Sequence, residues 1–330
     1  MKTASLIRIA ALAGLTILSS QAQSADKLLY MNDWLPGGDK AIPYYAQQRG
    51  FFEKEGLEVA IQSARGSSEA ITKIGTGAAD VGSGGLAALL QARAETGVPV
   101  TAVLGVFTMQ PDSIFTTEGS GISSLKDVAG KKIATATFTS SNVIWPLVLA
   151  AVKVDPSKVT LLKVDPGALA PMLATGQVDA TINWSTASPP FVKALGSTGK
   201  ALKILPWSAA GFEGYGYSVF VGDKLIKEKP DVVKRFLRAY VAAAKAALAD
   251  PKDVAKAMKA VFPEMDEALV EQQFMTIVPL IMNDITKAEG FGALEKARLA
   301  TTWEWTARAQ NMPLDKLDPE KAINRSFIPD

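Results

Sequence analysis

The chain of 330 residues contains no histidine and no cysteine. Histidine is the commonest general acid–base group and the commonest metal ligand. Without either residue there are no Ser-His or Cys-His nucleophile pairs, no ordinary zinc or non-haem iron sites and no disulfide framework. No metal, cofactor or catalytic residue is expected, although carboxylate and lysine chemistry stay open. A cysteine is also missing where a lipid anchor would be attached. An excess of one charge is lacking too, since 35 Lys and Arg stand against 33 Asp and Glu, a formal charge of +2. That is not the basic footprint of a nucleic-acid binder. Beyond the N-terminus there is no apolar run of the roughly 20 residues that a membrane span needs.

What is present begins with an export pattern. Residues 1–25 carry no acid, start with Lys2 and Arg8, continue with an apolar run over 9–18 and end in small residues (Ser19, Ser20, Ala22, Ser24). This is the layout of a secretory signal peptide, with cleavage expected after Ala22 or Ser24 and release of a soluble protein into the periplasm. A buried N-terminal helix is the alternative. The roughly 300 residues that follow exceed the usual size of one core, so two lobes are expected.

Strands and helices alternate along the first half. Strands are expected at 28–31, 57–61, 80–82 and 99–107, with helices at 41–50, 67–77 and 86–95 between them. A polar, glycine-bearing break at 117–121 marks a crossing, after which the pattern restarts, and a second such stretch at 211–216 marks the return. The chain then reads as helical. Thr76-Gly77-Ala78-Ala79-Asp80 is echoed by Thr175-Gly176-Gln177-Val178-Asp179 at the same point of the second series. The expected organisation is a signal segment (1–25), a first lobe (26–116), a second lobe (117–215) and a helical return to the first (216–330). The fold class is α/β: two lobes, each a mostly parallel sheet flanked by helices, with a ligand cleft at the hinge.

In open α/β sheets ligands bind beyond the carboxyl ends of the strands. The first lobe places Trp34, Asp39, Tyr44, Gly66, Ser67, Ser68, Ser83, Gly84 and Phe107 there, and the second places Ser140, Ser141, Asn142, Trp145, Asp165, Asn183 and Trp184, with Glu213 and Tyr215 at the hinge. Ser67 with Ser68, and Ser140 with Ser141 and Asn142, open helices whose free N–H groups suit a carboxylate, sulfonate, phosphate or carbonyl oxygen. Plain N-capping is the alternative for both. Trp34 and Trp184, one per lobe, offer faces to a flat ligand. Tyr44, Tyr45 and Trp145 serve equally as packing. Asp39, Asp165 and Glu213 are placed to accept from an amine or ring N–H, with capping by Asp165 and a solvated charge at Glu213 as the alternatives.

Several runs follow one another at a familiar spacing: Trp34-Leu35-Pro36-Gly37-Gly38-Asp39-Lys40, Tyr44-Tyr45-Ala46, Gly50-Phe51-Phe52-Glu53, Gly66-Ser67-Ser68, Thr76-Gly77-Ala78-Ala79-Asp80, Leu125-Lys126-Asp127 and Thr175-Gly176-Gln177-Val178-Asp179. Together they resemble the substrate-binding proteins of the ABC-importer group for nitrate, sulfonates, taurine and thiamine pyrimidine precursors. The resemblance implies a monomer whose lobes close on a small-molecule ligand, and partners that are an inner-membrane permease and its cytoplasmic ATPase. Asp33-Trp34 resembles the thiamine-pyrimidine-precursor branch. Related eukaryotic pyrimidine synthases use a histidine and a cysteine-rich motif, both missing here, so the resemblance implies a binding protein and not an enzyme. The expected ligand is a flat nitrogen-containing or aromatic molecule. The alternatives are a sulfonate, nitrate or aromatic-carboxylate receptor, and a periplasmic enzyme acting on a similar molecule.

Overall fold

A computed structural model describes residues 25–329. The signal-peptide expectation therefore lies, but for Ala25, outside the described residues. Among the described residues ten strands form two five-stranded sheets. The first sheet has the order β2-β1-β3-β10-β4, from β1 (Asp26–Asn32), β2 (Leu57–Ser63), β3 (Val81–Gly85), β4 (Val100–Gly105) and β10 (Tyr217–Gly222). The second has the order β7-β6-β8-β5-β9, from β5 (Asp112–Thr117), β6 (Lys132–Ala136), β7 (Thr160–Val164), β8 (Ala180–Trp184) and β9 (Leu202–Pro206).

In each sheet the first three strands run parallel, and the fourth is antiparallel to both its neighbours. That fourth strand, β10 or β5, comes directly after the chain has left the other sheet. Sequence patterning missed both of them. β5 reads Asp-Ser-Ile-Phe-Thr-Thr, polar at both ends and yet buried along nearly its whole length, because it is inserted between two neighbours. The chain therefore leaves the first sheet between Gly105 and Asp112. The stretch 117–121, expected as the crossing, is instead a turn that follows β5, with Gly119 and Gly121 at φ 79° and 77°. The return lies between Pro206 and Tyr217, a span that contains 211–216.

The helices α1 (Ile42–Gln48), α2 (Phe51–Lys54), α3 (Ser67–Gly75) and α4 (Leu86–Thr96) follow the first strands, and α5 (Ser141–Ala151), α6 (Leu169–Ala174) and α7 (Ser188–Gly196) flank the second sheet. The C-terminal part is helical after β10, as α8 (Asp223–Glu228), α9 (Pro230–Ala249), α10 (Pro251–Val261), α11 (Glu267–Ile281), α12 (Asp284–Glu289) and α13 (Lys296–Ala309). α9 starts at Pro230, whose missing N–H costs nothing there, and buries Val233, Phe236, Leu237 and Tyr240 against the first sheet. α11 starts on Asp266, which accepts from the Ala268 and Leu269 N–H groups.

The five-residue echo has a shared task. Asp80 Oδ2 accepts the Leu29 N–H on β1 at 2.7 Å, and Asp179 Oδ2 accepts the Lys132 N–H at the start of β6 at 2.8 Å. Gly77 and Gly176 precede them in left-handed turns at φ 77° and 73°, a conformation that favours glycine. Each aspartate thus ties the central strand that it precedes, β3 or β8, to the neighbouring parallel strand of its own lobe.

α11 lies directly on the loop after β1. A Cβ on Gly38 would overlap the Val270 carbonyl and stand 2.6 Å from the Phe274 nitrogen. Gly38→Ala is expected to cost about 1–3 kcal/mol, the usual scale for overpacking, and to shift Asp39 and Lys40. Urea unfolding checks the first point and a structure of the variant the second. An unchanged midpoint would show that this contact yields.

Candidate functional site

The loop between β1 and α1 carries the densest polar chemistry in the first lobe. Lys40 Nζ lies 3.0 Å from Asp33 Oδ1, with the two side chains only 2% and 4% exposed. Burying such a pair is expensive unless further interactions complete it. Here the ammonium stands 4.2 Å from the ring centres of both Trp184 and Tyr217, and their electron-rich faces attract it. Asp33 Oδ2 accepts from Ser67 Oγ at 2.9 Å, and Ser67 Oγ in turn accepts the Gly85 N–H at 3.0 Å.

Asp39 joins the lobes. Its carboxylate accepts from Thr186 Oγ1 of the second lobe and from Gln273 Nε2 of α11, each at 2.8 Å. Gln273 is held in turn by the Gly38 N–H, which donates to its Oε1 at 3.0 Å. Burial pushes the Asp39 carboxyl above its usual range, while Lys40 and the Thr186 hydroxyl oppose the rise. A second junction forms at the start of α3. The Ser68 N–H donates to the Phe138 carbonyl at 3.1 Å, and Gly66 at φ 153° packs so closely on Phe138 and Thr139 that a Cβ would collide with their backbone.

Asp33, Trp34, Asp39, Lys40 and Ser67 from the first lobe face Thr139, Ile182, Asn183, Trp184 and Ala187 from the second. They enclose a cavity of about 20 Å³, room for little more than one water molecule. The arrangement offers two indole faces, two carboxylates, one ammonium and the Asn183 amide, whose Nδ2 donates to Thr181 Oγ1 at 2.6 Å. It suits hydrogen bonding to a planar heteroatom-bearing molecule once the lobes part.

Of the sequence-derived candidates, Trp34, Asp39, Ser67, Asn183 and Trp184 come together at this cavity. Gly66, Ser68 and Ser140 lie on the lobe–lobe contact, and Ser140 packs against Gly85. Phe107 backs Trp184 with ring centres 6.0 Å apart, and Ser83 is buried on β3 beneath the cleft. The others do not reach the cavity. Tyr44 is core, edge-on to Phe262 and bonded to Ser63; Trp145 stacks on Trp207 in the core. Gly84 is closed in by Phe220 and Ser67. Asn142 spends its amide on Thr135 and the Ala136 carbonyl, and Asp165 caps the Gly167 N–H. Tyr215 is buried, with its hydroxyl accepting the Glu295 N–H, and Glu213 lies largely exposed at the hinge, 4.0 Å from Arg298. For Tyr44, Asn142, Asp165 and Tyr215 a nearer local partner takes the group that a ligand would need, whereas Glu213 remains open to solvent.

Sequence reasoning did not single out Asp33, Lys40, Thr186, Tyr217 or Gln273. Asp33 and Lys40 were visible as opposite charges in one glycine-rich loop, but their burial depends on rings that arrive from β8 and β10. It also missed Asp112, buried on β5 opposite Trp184. Burial raises its carboxyl, while Ser141, Gln110 and Trp184 beside it oppose the rise. Its Oδ1 has no hydrogen-bond partner among the described residues.

Among solved structures, the alkanesulfonate-binding protein SsuA of Xanthomonas axonopodis pv. citri, bound to MOPS, matches with a TM-score of 0.70 at 18% identity, covering 92% of this chain and 100% of that one. The two-lobed periplasmic-binding-protein fold is thereby established. Among curated relatives, the 4-amino-5-hydroxymethyl-2-methylpyrimidine phosphate synthase of Schizosaccharomyces pombe is 26% identical over 80% of this chain and 78% of its own. The riboflavin-binding protein RibY of Chloroflexus aurantiacus is 24% identical over 87% and 82%.

These matches correct one expectation. The lack of histidine and cysteine pointed to a binding protein and not an enzyme, with an enzyme as the alternative, yet the synthase name recurs among the curated relatives. The two absences remove only the chemistries of those side chains, and the wider relationship spans enzymes and binding proteins alike. The profile of the family described as "NMT1/THI5 like" matches residues 39–254, from the Asp39–Lys40 turn of the cleft into α10, and the chain belongs to that family.

Proposed function

We propose that this chain is the solute-binding component of an ABC importer, exported to the periplasm, and that it captures a small, flat, nitrogen-containing or aromatic molecule between its lobes for an inner-membrane permease and its ATPase. The observation that carries this reading is the convergence of Trp34 and Trp184, from opposite lobes, with Asp33 and Asp39 on one cavity. Indole faces pack on a planar ring, and carboxylates accept from its amino or ring N–H groups. The names of two relatives, an aminopyrimidine phosphate synthase and a riboflavin-binding protein, concern planar nitrogen heterocycles and support the same class. A cavity of about 20 Å³ admits no ring, so capture requires the lobes to separate and re-close around the ligand.

A thermal-shift screen tests this with aminopyrimidines, flavins, purines, sulfonates, nitrate and aromatic acids. A ligand at about 100 times its Kd adds about 2.7 kcal/mol of stability. Shifts confined to planar nitrogen heterocycles support the proposal, and shifts confined to sulfonates or nitrate replace it with an anion receptor. Trp34→Ala is expected to weaken binding by more than about tenfold without unfolding the protein; unchanged affinity removes Trp34 from the site.

A second reading, chemistry on the same class of molecule, is favoured by the synthase names and by the buried Lys40 amine beside Asp33. Mass spectrometry of the ligand after incubation separates the two. A changed mass establishes catalysis, and an unchanged one over a full time course leaves capture.

A further inference from the structure

We infer that the cleft is a two-compartment site partitioned by Trp34, and that its ligand is a planar nitrogen heterocycle carrying a second, less polar ring or chain. This rests on the proposed function and specifies its ligand. Trp34, Asn183 and Ala187 line the inner cavity, and the same three residues line an outer groove of about 390 Å³. The two spaces therefore share a wall, and the indole is its largest part. Only the groove falls within the size range of small-molecule sites.

The compartments differ in chemistry. The inner one presents Asp33, Asp39 and Lys40. The groove runs between Leu35, Pro36 and Val270 of the first lobe and Pro166, Ala170 and Phe191 of the second. Its rim is crossed by Lys193 and Asp266, 3.6 Å apart and well exposed, which join the lobes at the mouth. An entirely polar ligand would leave the apolar walls wet. An entirely apolar one would displace Thr186 from Asp39 and Trp184 from Lys40 without replacing those contacts, which is costly. A polar head with an apolar extension satisfies both.

Trp34 is placed to act as the partition. It is half-buried and leans on the core of the second lobe, although it belongs to the loop after β1. Its carbonyl accepts from Asn32 Nδ2 at 3.2 Å. Separation of the lobes withdraws the ring from that core and joins the two spaces.

The test compares 4-amino-5-hydroxymethyl-2-methylpyrimidine with its O-benzyl ether, the same head bearing an apolar second ring, by isothermal titration calorimetry on the intact protein. The ether is expected to bind at least about tenfold more tightly. Ala170→Trp, which fills the groove from α6 without lining the inner cavity, is expected to abolish that gain while the bare pyrimidine keeps its affinity within about twofold. Leu269→Phe, on the opposite wall, provides the same readout if Ala170→Trp does not fold. Equal affinities, or a gain that survives the filled groove, overturn the two-compartment inference and leave the proposed function standing. Binding of neither molecule overturns the two-compartment inference, and the thermal-shift screen against the other planar ligands then decides the proposed function.

Discussion

Lys40→Met is expected to lower the free energy of unfolding by about 3–5 kcal/mol, the scale on which one partner of a buried ion pair leaves the other uncompensated. Lys40 and Asp33 have almost no contact with solvent. The methionine would keep most of the apolar stem between Trp184 and Tyr217 but lose the charge that both rings and Asp33 face. Asp33 would retain only the Ser67 hydroxyl at 2.9 Å as a donor. The double variant Asp33→Leu/Lys40→Met removes both charges, so it should recover more than half of the loss. Urea unfolding of wild type, both single variants and the double variant forms a complete cycle. A loss below about 1 kcal/mol for Lys40→Met, the value typical of exposed pairs, would mean that water reaches the pair.

Asp112→Asn is expected to act in the opposite direction, stabilising the protein at pH 7 by about 1–3 kcal/mol. The carboxylate is buried and one of its oxygens has no partner among the described residues, so ionisation carries a desolvation cost that the unfolded chain does not bear. The sign follows from linkage. Burial raises the folded carboxyl above its ordinary value of 3.8, so the folded state holds the proton more tightly than the unfolded state. Stability from this group is therefore greatest below the ordinary value and declines as pH rises from there through the raised folded value. Asp39 shifts in the same direction, so wild type alone reports both groups. The difference between wild type and Asp112→Asn isolates Asp112: it should be near zero at pH 3.5, grow across the window between the two values and then level off. A variant less stable than wild type at pH 7 would show that its neighbours require the negative charge.

Much of the architecture was legible because it is local. β4 reads as a run that is apolar but for Thr101, Val-Thr-Ala-Val-Leu-Gly, and is buried throughout, as a strand covered on both faces must be. α9 shows helical spacing of Val233, Phe236, Leu237 and Tyr240, and buries that stripe. The echo ending in Asp80 and Asp179 was visible as a repeat, and the two carboxylates perform the same backbone clip. The site was less legible. Serines at helix starts suited either ligand oxygens or plain N-capping, but Ser68 offers its N–H to the Phe138 carbonyl and Ser67 serves Asp33. Trp145 lies in the first turns of α5 after β6, and Trp184 ends β8. One stacks on Trp207 in the core and the other lines the cleft, and no local pattern separates them.

The sequence by itself determined two βα series with a helical close, and the set of loops beyond the strand ends from which a site must be drawn. Those features depend on residues a few positions apart, where periodicity and turn chemistry act. The tertiary structure alone decided where β5 and β10 are inserted and which loop residues meet. Asp39 and Thr186 are 147 positions apart and bond at 2.8 Å, and the Lys40 ammonium is covered by Trp184 and Tyr217, which come from two other strands. Such pairings are set by packing within the first lobe and by closure of the second lobe on it, where burial of charge is settled by all the surrounding groups together, and no short stretch of sequence contains them.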